Sequence, residues 1–175
     1  MFGAAASASG EPPDRSHGPR MIDVSDKEPT RRTARAEGYL QLGHGGLERL
    51  GDGSTPKGNV FEVARLAGIT GAKLTPQIVP LCHPVALSLV EVLVEKAPPD
   101  RIRIESFVAA IDRTGVEMEA LAAVMAAALA FYDMIKATER AASVEMIRLT
   151  EKAGGRSGHF VADPKPGTES GGSTS

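Results

Sequence analysis

The chain has 175 residues, a net charge of −2, 42% hydrophobic residues and only 4% aromatic ones, with no Trp. That length suits one domain with tails, and the core must be aliphatic. A near-neutral balance excludes bulk attraction to nucleic acid or anionic lipid, so an anionic ligand needs a local basic cluster. The single cysteine, Cys82, rules out an intramolecular disulfide, and His17, His44, His83 and His159 have no zinc-ligand spacing.

Both ends read as disordered. Residues 1–20 are rich in Ala, Ser, Gly and Pro and lack the basic and apolar regions of a signal peptide. Residues 162–175 are rich in Gly, Ser, Pro and Thr, and neither tail can bury enough apolar surface to offset the entropy of ordering. The expected domain is therefore 21–161. No apolar run reads as long enough to span a bilayer, and the expected location is the cytoplasm.

Within the domain, 26–37 reads as a mixed-charge segment whose arginine forks suit phosphate oxygens. A first strand is expected over 37–42, then a Gly-rich loop over 42–56. A helix follows over 59–74, with Asn59 as N-cap and Val60, Val63, Ala67 and Leu74 as its buried face. Gly68 and Gly71 would allow close packing. Lys57 precedes that helix, where a cation opposes the helix dipole but suits an anionic ligand. The stiff Pro80-Leu81-Cys82-His83-Pro84 segment presents Cys82 and His83 from a fixed backbone.

Two strands, 87–95 and 101–111, form a hairpin across Ala97-Pro98-Pro99-Asp100. Ile102, Ile104 and Val108 share its inner face. Leu89 and Leu93 fall on an opposite face shared with Glu91 and Glu95, a hint of contact with another subunit. The longest helix is expected over 116–140. Thr114 and Glu117 fit a capping box at its start. At ~100° per residue, Val124, Met125, Ala128, Leu129, Tyr132 and Ile135 fall within about 80° of Leu121, with Lys136 inside that stripe and Asp133 at its edge. A lysine in an apolar stripe is costly unless paired or functional, although an i, i+3 pair with Asp133 is by itself an ordinary helical ion pair. A last strand spans 146–152. The order β-α-β-β-α-β gives an α+β, ferredoxin-like fold: an antiparallel sheet with two helices on one face.

The strings MIDVSDKEPTRRTARAEG, KGNVFEVARLAGITGAK, PLCHPVALSLVEV, DRTGVEMEALAAV, YDMIKA and IRLTEKAGGRSG run in order from Met21 to Gly158. Together they resemble the cyclic pyranopterin monophosphate synthase (MoaC) family. KGNV stands where KGDV is frequent, and Asn and Asp both cap helices. The resemblance implies a lyase of molybdenum-cofactor biosynthesis. Its substrate would be (8S)-3′,8-cyclo-7,8-dihydroguanosine 5′-triphosphate, supplied by an upstream radical SAM enzyme. Its products would be cyclic pyranopterin monophosphate and pyrophosphate.

By match, Asp133, Lys136 and Lys57 would carry catalysis. Leu81, Cys82, His83, Met118 and Glu119 would line the substrate, with Arg32, Lys73, Thr114, Gly115 and Glu117 as further pocket positions. The resemblance also implies a homohexamer, a trimer of dimers. No metal site or cofactor of the protein's own is implied, and any Mg²⁺ would accompany the triphosphate. The alternative is a nucleotide-sensing module without turnover on the same fold. The joint presence of Asp133, Lys136, Lys57 and His83 favours the enzyme.

Overall fold

The computed structural model describes residues 18–163, so most of both expected tails lies outside the described residues. Five strands form one antiparallel sheet in the order β4-β5-β1-β6-β7: β1 is Thr30–Gln41, β4 Leu87–Ala97, β5 Arg101–Asp112, β6 Ser143–Ala153 and β7 Phe160–Val161. Between β1 and β4 run α1 (Gly46–Leu50), β2 (Ser54–Thr55), β3 (Gly58–Asn59), α2 (Val60–Lys73) and α3 (Thr75–Ile78). The long helix α4 is Glu117–Ile135. With α1, α3 and the two-residue strands set aside, the order is the expected ferredoxin-like βαββαβ, with β7 added at one edge.

β1 begins at Thr30, seven residues before the expected start. Its charged first half is a central strand because its two faces do different work. Ala34 and Ala36 point into the core, opposite Val108 and Ser106 of β5. The alternate residues form a polar network on the open face. There Arg35 stacks on the Phe107 ring at 4.5 Å, and the buried Glu37 accepts from Arg148 at 2.8 Å and Arg103 at 3.4 Å.

The core lies between the sheet's other face and the pair α2 and α4. Asn59 caps α2 as expected, its Oδ1 accepting from the Phe61 and Glu62 amides. The buried face of α2 is turned from the expected one. Val60, Ala64, Gly68, Gly71 and Ala72 are buried, Val63 and Ala67 are only partly so, and Leu74 is exposed. The small residues win because the two helices pack closely: a Cβ on Gly71 would lie 2.4 Å from Ala126 Cβ and 2.9 Å from the Ala122 carbonyl. Phe61 meets Phe131 edge-on at 5.5 Å, so α2 and α4 run antiparallel.

The stripe on α4 is turned in the same way. Ala120, Ala123, Val124, Ala127, Ala128, Phe131 and Ile135 are buried, whereas Met125 and Leu129 are exposed. Wheel arithmetic follows the largest side chains, but alanines let the helix approach both α2 and the sheet. Gly38 of β1 completes the fit, because a Cβ there would lie 2.7 Å from Val124. Lys136 consequently leaves the stripe. The helix stops at Ile135, not near residue 140, and Lys136 is its C-cap, with an exposed side chain. At the other end the expected capping box is absent: Val116 is the N-cap residue and no side chain caps it. By length and composition α4 could cross a bilayer, contrary to the sequence reading, yet half of it is buried inside the protein as its central helix.

Candidate active site

The three residues matched to catalysis meet in space. Lys57, on the turn between β2 and β3, reaches Asp133 Oδ2 at 2.7 Å, and Lys136 reaches Asp133 Oδ1 at 2.7 Å. The turn is braced locally: Thr55 Oγ1 donates to the Gly58 carbonyl and accepts from the Lys57 amide. One carboxylate thus bridges two ammonium groups that belong to segments 76 residues apart in sequence. Lys136 and then Lys57 hold the Asp133 carboxyl at about 2, against an ordinary value of 3.8, while Asp133 raises Lys136 in turn. All three side chains are about half exposed. At neutral pH the cluster is one anion flanked by two cations, open to an incoming anion.

The remaining matched residues gather at the opposite end of α4. Cys82 Sγ lies 3.7 Å from Glu119 Oε1, which seats the Leu81–His83 segment against the first turn of the helix, beside Met118. Glu119 is 1% exposed, and its Oε2 is the one buried side-chain polar atom without a partner among the described residues. Burial pushes its carboxyl up, and Glu117 and Asp112 add to that as like charges. Burial, followed by Glu119, pushes the Cys82 thiol up to about 11, so Cys82 is a poor nucleophile and a better packing group. Asp23 is held below its usual range by hydrogen bonds from Ser25 and, more weakly, by His83 nearby. Lys73 is exposed on the last turn of α2, which antiparallel packing carries to this same end.

Beside this end is a cleft of ≈ 720 Å³, lined in part by Arg32, Thr114, Gly115 and Glu117. The Glu117 carboxylate folds over Gly115, where any Cβ would overlap it. Arg32 donates to the carbonyls of Asp112 and Arg113 and lies under the turn after β6. Gly154 and Gly155 take φ of 98° and 77° there, and a Cβ on either would strike the Arg31 carbonyl or the Arg32 guanidinium. Four further cations line the cleft that residue reasoning did not single out: Lys27, Arg113, Lys152 and Arg156. Their sequence signals are three of the matched strings: Lys27 lies in MIDVSDKEPTRRTARAEG, Arg113 in DRTGVEMEALAAV, and Lys152 and Arg156 in IRLTEKAGGRSG. Among the described residues no group of three or more His, Cys, Asp and Glu side chains is placed to hold a metal.

Asp133 follows Glu117 by sixteen residues on one helix, about 24 Å at 1.5 Å per residue. The Lys57–Asp133–Lys136 trio and the residues matched to substrate lining are therefore separate clusters within one chain.

The MoaC family model matches residues 21–155. Two relatives, each named cyclic pyranopterin monophosphate synthase 3, come from Mycobacterium bovis (strain ATCC BAA-935 / AF2122/97) and Mycobacterium tuberculosis (strain CDC 1551 / Oshkosh). Each is 48% identical over 158 residues, covering 89% of this chain and 88% of the relative. A crystal structure of aminobenzoyl-glutamate utilization protein from Klebsiella pneumoniae covers 78% of this chain and 30% of its own, at 13% identity and a TM-score of 0.30, too slight a likeness to carry an argument.

Proposed function

Since this chain belongs to the MoaC family, we propose that it is the lyase that converts (8S)-3′,8-cyclo-7,8-dihydroguanosine 5′-triphosphate to cyclic pyranopterin monophosphate and pyrophosphate in molybdenum-cofactor biosynthesis. The observation that carries the reading is the Lys57–Asp133–Lys136 cluster, three matched residues from distant segments joined at 2.7 Å contacts. Forming the cyclic phosphate requires a sugar hydroxyl to attack the α-phosphorus while the bond to pyrophosphate breaks. Negative charge grows on the leaving group, and a pair of ammonium groups stabilises it there. Asp133, ionised down to about pH 2, acts as a fixed anion that orients both lysines. Lys136, raised in pKa by that anion, enters as a charged proton donor.

A nucleotide triphosphate fits the ≈ 720 Å³ cleft, and Lys27, Arg32, Arg113, Lys152 and Arg156 supply cations for its phosphates. Any Mg²⁺ rides on those phosphate oxygens. The cleft and the trio are too far apart in one chain to act on one substrate. A complete site therefore pairs the Leu81–His83 end of one subunit with the trio of another, in a homohexamer built as a trimer of dimers. Exposed apolar residues support such assembly: Leu89 and Leu93 on β4, and Met125, Leu129 and Val144 around a groove between α4 and β6. The substrate would come from a radical SAM enzyme acting upstream, and the site of action would be the cytoplasm.

The decisive experiment is turnover of the cyclised nucleotide, followed by release of pyrophosphate and a pterin product. Binding without release would instead favour a nucleotide-sensing module.

A further inference from the structure

Glu139 lies three residues beyond Lys136, outside every matched string, yet it is 6% exposed. A buried carboxylate is costly unless its oxygens are used, and both of these are. Oε1 accepts from Arg49 Nε at 2.6 Å, and Oε2 accepts from the Gly43 amide at 3.1 Å. Arg49 belongs to α1, the short helix in the loop between β1 and α2, and its Nη1 donates to the His44 carbonyl at 2.7 Å. The loop is wrapped closely around this pair. A Cβ on Gly43 would lie 3.3 Å from the Glu139 carboxylate, and one on Gly45, at φ 71°, would lie 3.2 Å from the Arg49 guanidinium. Arg49 holds the Glu139 carboxyl below its usual range, so the pair stays charged at neutral pH.

The placement of this pair gives it a consequence for the catalytic cluster. Glu139 is rigidly continuous with the end of α4, since its own amide donates to the Ile135 carbonyl at 2.9 Å. The loop it grips is the segment that carries Lys57. The loop's other braces, Lys96 to the Gly51 carbonyl and Gly46 to Asp100 Oδ1, tie it to the β4–β5 hairpin and not to α4. Only two side-chain links among the described residues join the loop's polar groups to α4 and the turn after it: the Glu139 contacts, which are partly buried, and the Lys57–Asp133 contact, which is exposed. An exposed ion pair between flexible side chains cannot fix its own geometry.

We propose that Glu139, through Arg49 and the Gly43 amide, is a positioning residue that sets Lys57 against Asp133 and Lys136. The proposal rests on the reading of those three as the catalytic cluster, and its test separates the two ideas. The Asp133 carboxyl reports the position of Lys57 directly, with no substrate present. Carboxyl carbon NMR titration of the full chain is the first measurement, in the wild type, Glu139→Gln and Arg49→Met. The second is kcat and KM for pyrophosphate release.

In both variants the Asp133 titration should move up from about 2 toward its ordinary 3.8 as Lys57 withdraws, with Lys136 still in place. Turnover should fall by ~10- to 100-fold in kcat, the scale of a displaced reacting group, with KM nearly unchanged. Arg49→Lys, which keeps the charge, should recover part of both effects. Arg49 is half exposed, so its variants keep the test open if Glu139→Gln does not fold. A lower Tm with an unmoved Asp133 titration and normal kcat would overturn the proposal and leave Glu139 a purely structural residue. A shifted titration with normal kcat would uphold the positioning and overturn the catalytic reading of the cluster.

Discussion

At the C-terminal end of α4 a carboxylate stands in solvent between two ammonium groups. At the N-terminal end another carboxylate is buried with no cation among its partners. Asp133 needs no burial to be perturbed, because two direct contacts at 2.7 Å hold its proton off. Glu119 needs no opposing charge to be perturbed, because loss of water disfavours its ionised form. One helix thus carries a permanently charged end, suited to stabilising charge in a reaction, and an end that packs a buried carboxyl, pushed up by desolvation, beneath a stiff loop. Charge chemistry can be solvent-exposed and still specific when its partners are fixed.

The comparison breaks most sharply at Asp133. Asp133→Asn keeps the shape and removes the anion that both lysines share. Turnover should fall at least ~10²-fold, the scale of lost acid–base help, while circular dichroism and Tm stay near wild type because the cluster is exposed. Near-normal turnover would show that the charged end of α4 is surface decoration.

The separation of the two ends can be sharpened by mixing chains. Asp133→Asn and His83→Ala proteins should each be nearly inactive alone. After unfolding and refolding together they should regain activity, since some paired sites then take the intact end of each chain. Mixtures that stay inactive, with mixed oligomers verified by mass spectrometry, would mean that each chain completes its own site.

A smaller effect is expected midway along the helix, where neither end is touched. Gly71→Ala places a methyl 2.4 Å from Ala126 Cβ. Overpacking of that kind should cost ~1–3 kcal/mol by denaturant titration, with kcat of the folded protein preserved. A loss of kcat without a loss of stability would link the α2–α4 seam to the chemistry.

How much of this was legible beforehand differs between the same regions. Element order came from periodicity and punctuation: the Asn59 cap, the Pro98-Pro99 hairpin and the valine alternation of β4 are local signals. The first half of β1 was hidden, because Arg31, Arg32 and Arg35 look like a solvated segment until Phe107 of β5 and Glu151 of β6 are placed against Arg35. The seating of α4 was read from its largest side chains, while alanine and glycine contacts with α2 decide it. Asp133 and Lys136 lie within one turn, so their pairing was visible as i, i+3. The arrival of Lys57 and the distance to Glu119 are tertiary facts with no local trace. Glu139 was missed for the same reason, since a glutamate in the last turn of the expected 116–140 helix looks solvated until Gly43 and Arg49 close over it.

The smallest effect is the one that sets the two carboxylates against each other by pH. Asp133 has its folded value depressed to about 2 from 3.8. Its contribution to stability is therefore complete above its unfolded value and disappears as pH falls through about 2. Glu119 is shifted upward from 4.5. Its folded form holds a proton that the unfolded chain gives up, so its contribution is complete below 4.5 and is lost as pH rises through the raised folded value. The two slopes have opposite signs, and each belongs to one end of α4. Tm measured from pH 2 to 8 should show, in Glu119→Gln relative to wild type, less decline on the rising side of pH 4.5 and the same acid limb. In Asp133→Asn the acid limb alone should flatten, and only slightly, because an exposed pair is largely screened by solvent. If Glu119→Gln alters the acid limb, or leaves the side above pH 4.5 unchanged, then Glu119 is ionised in the assembled protein and a cation from another subunit reaches it. The contrast between the two ends would then fail.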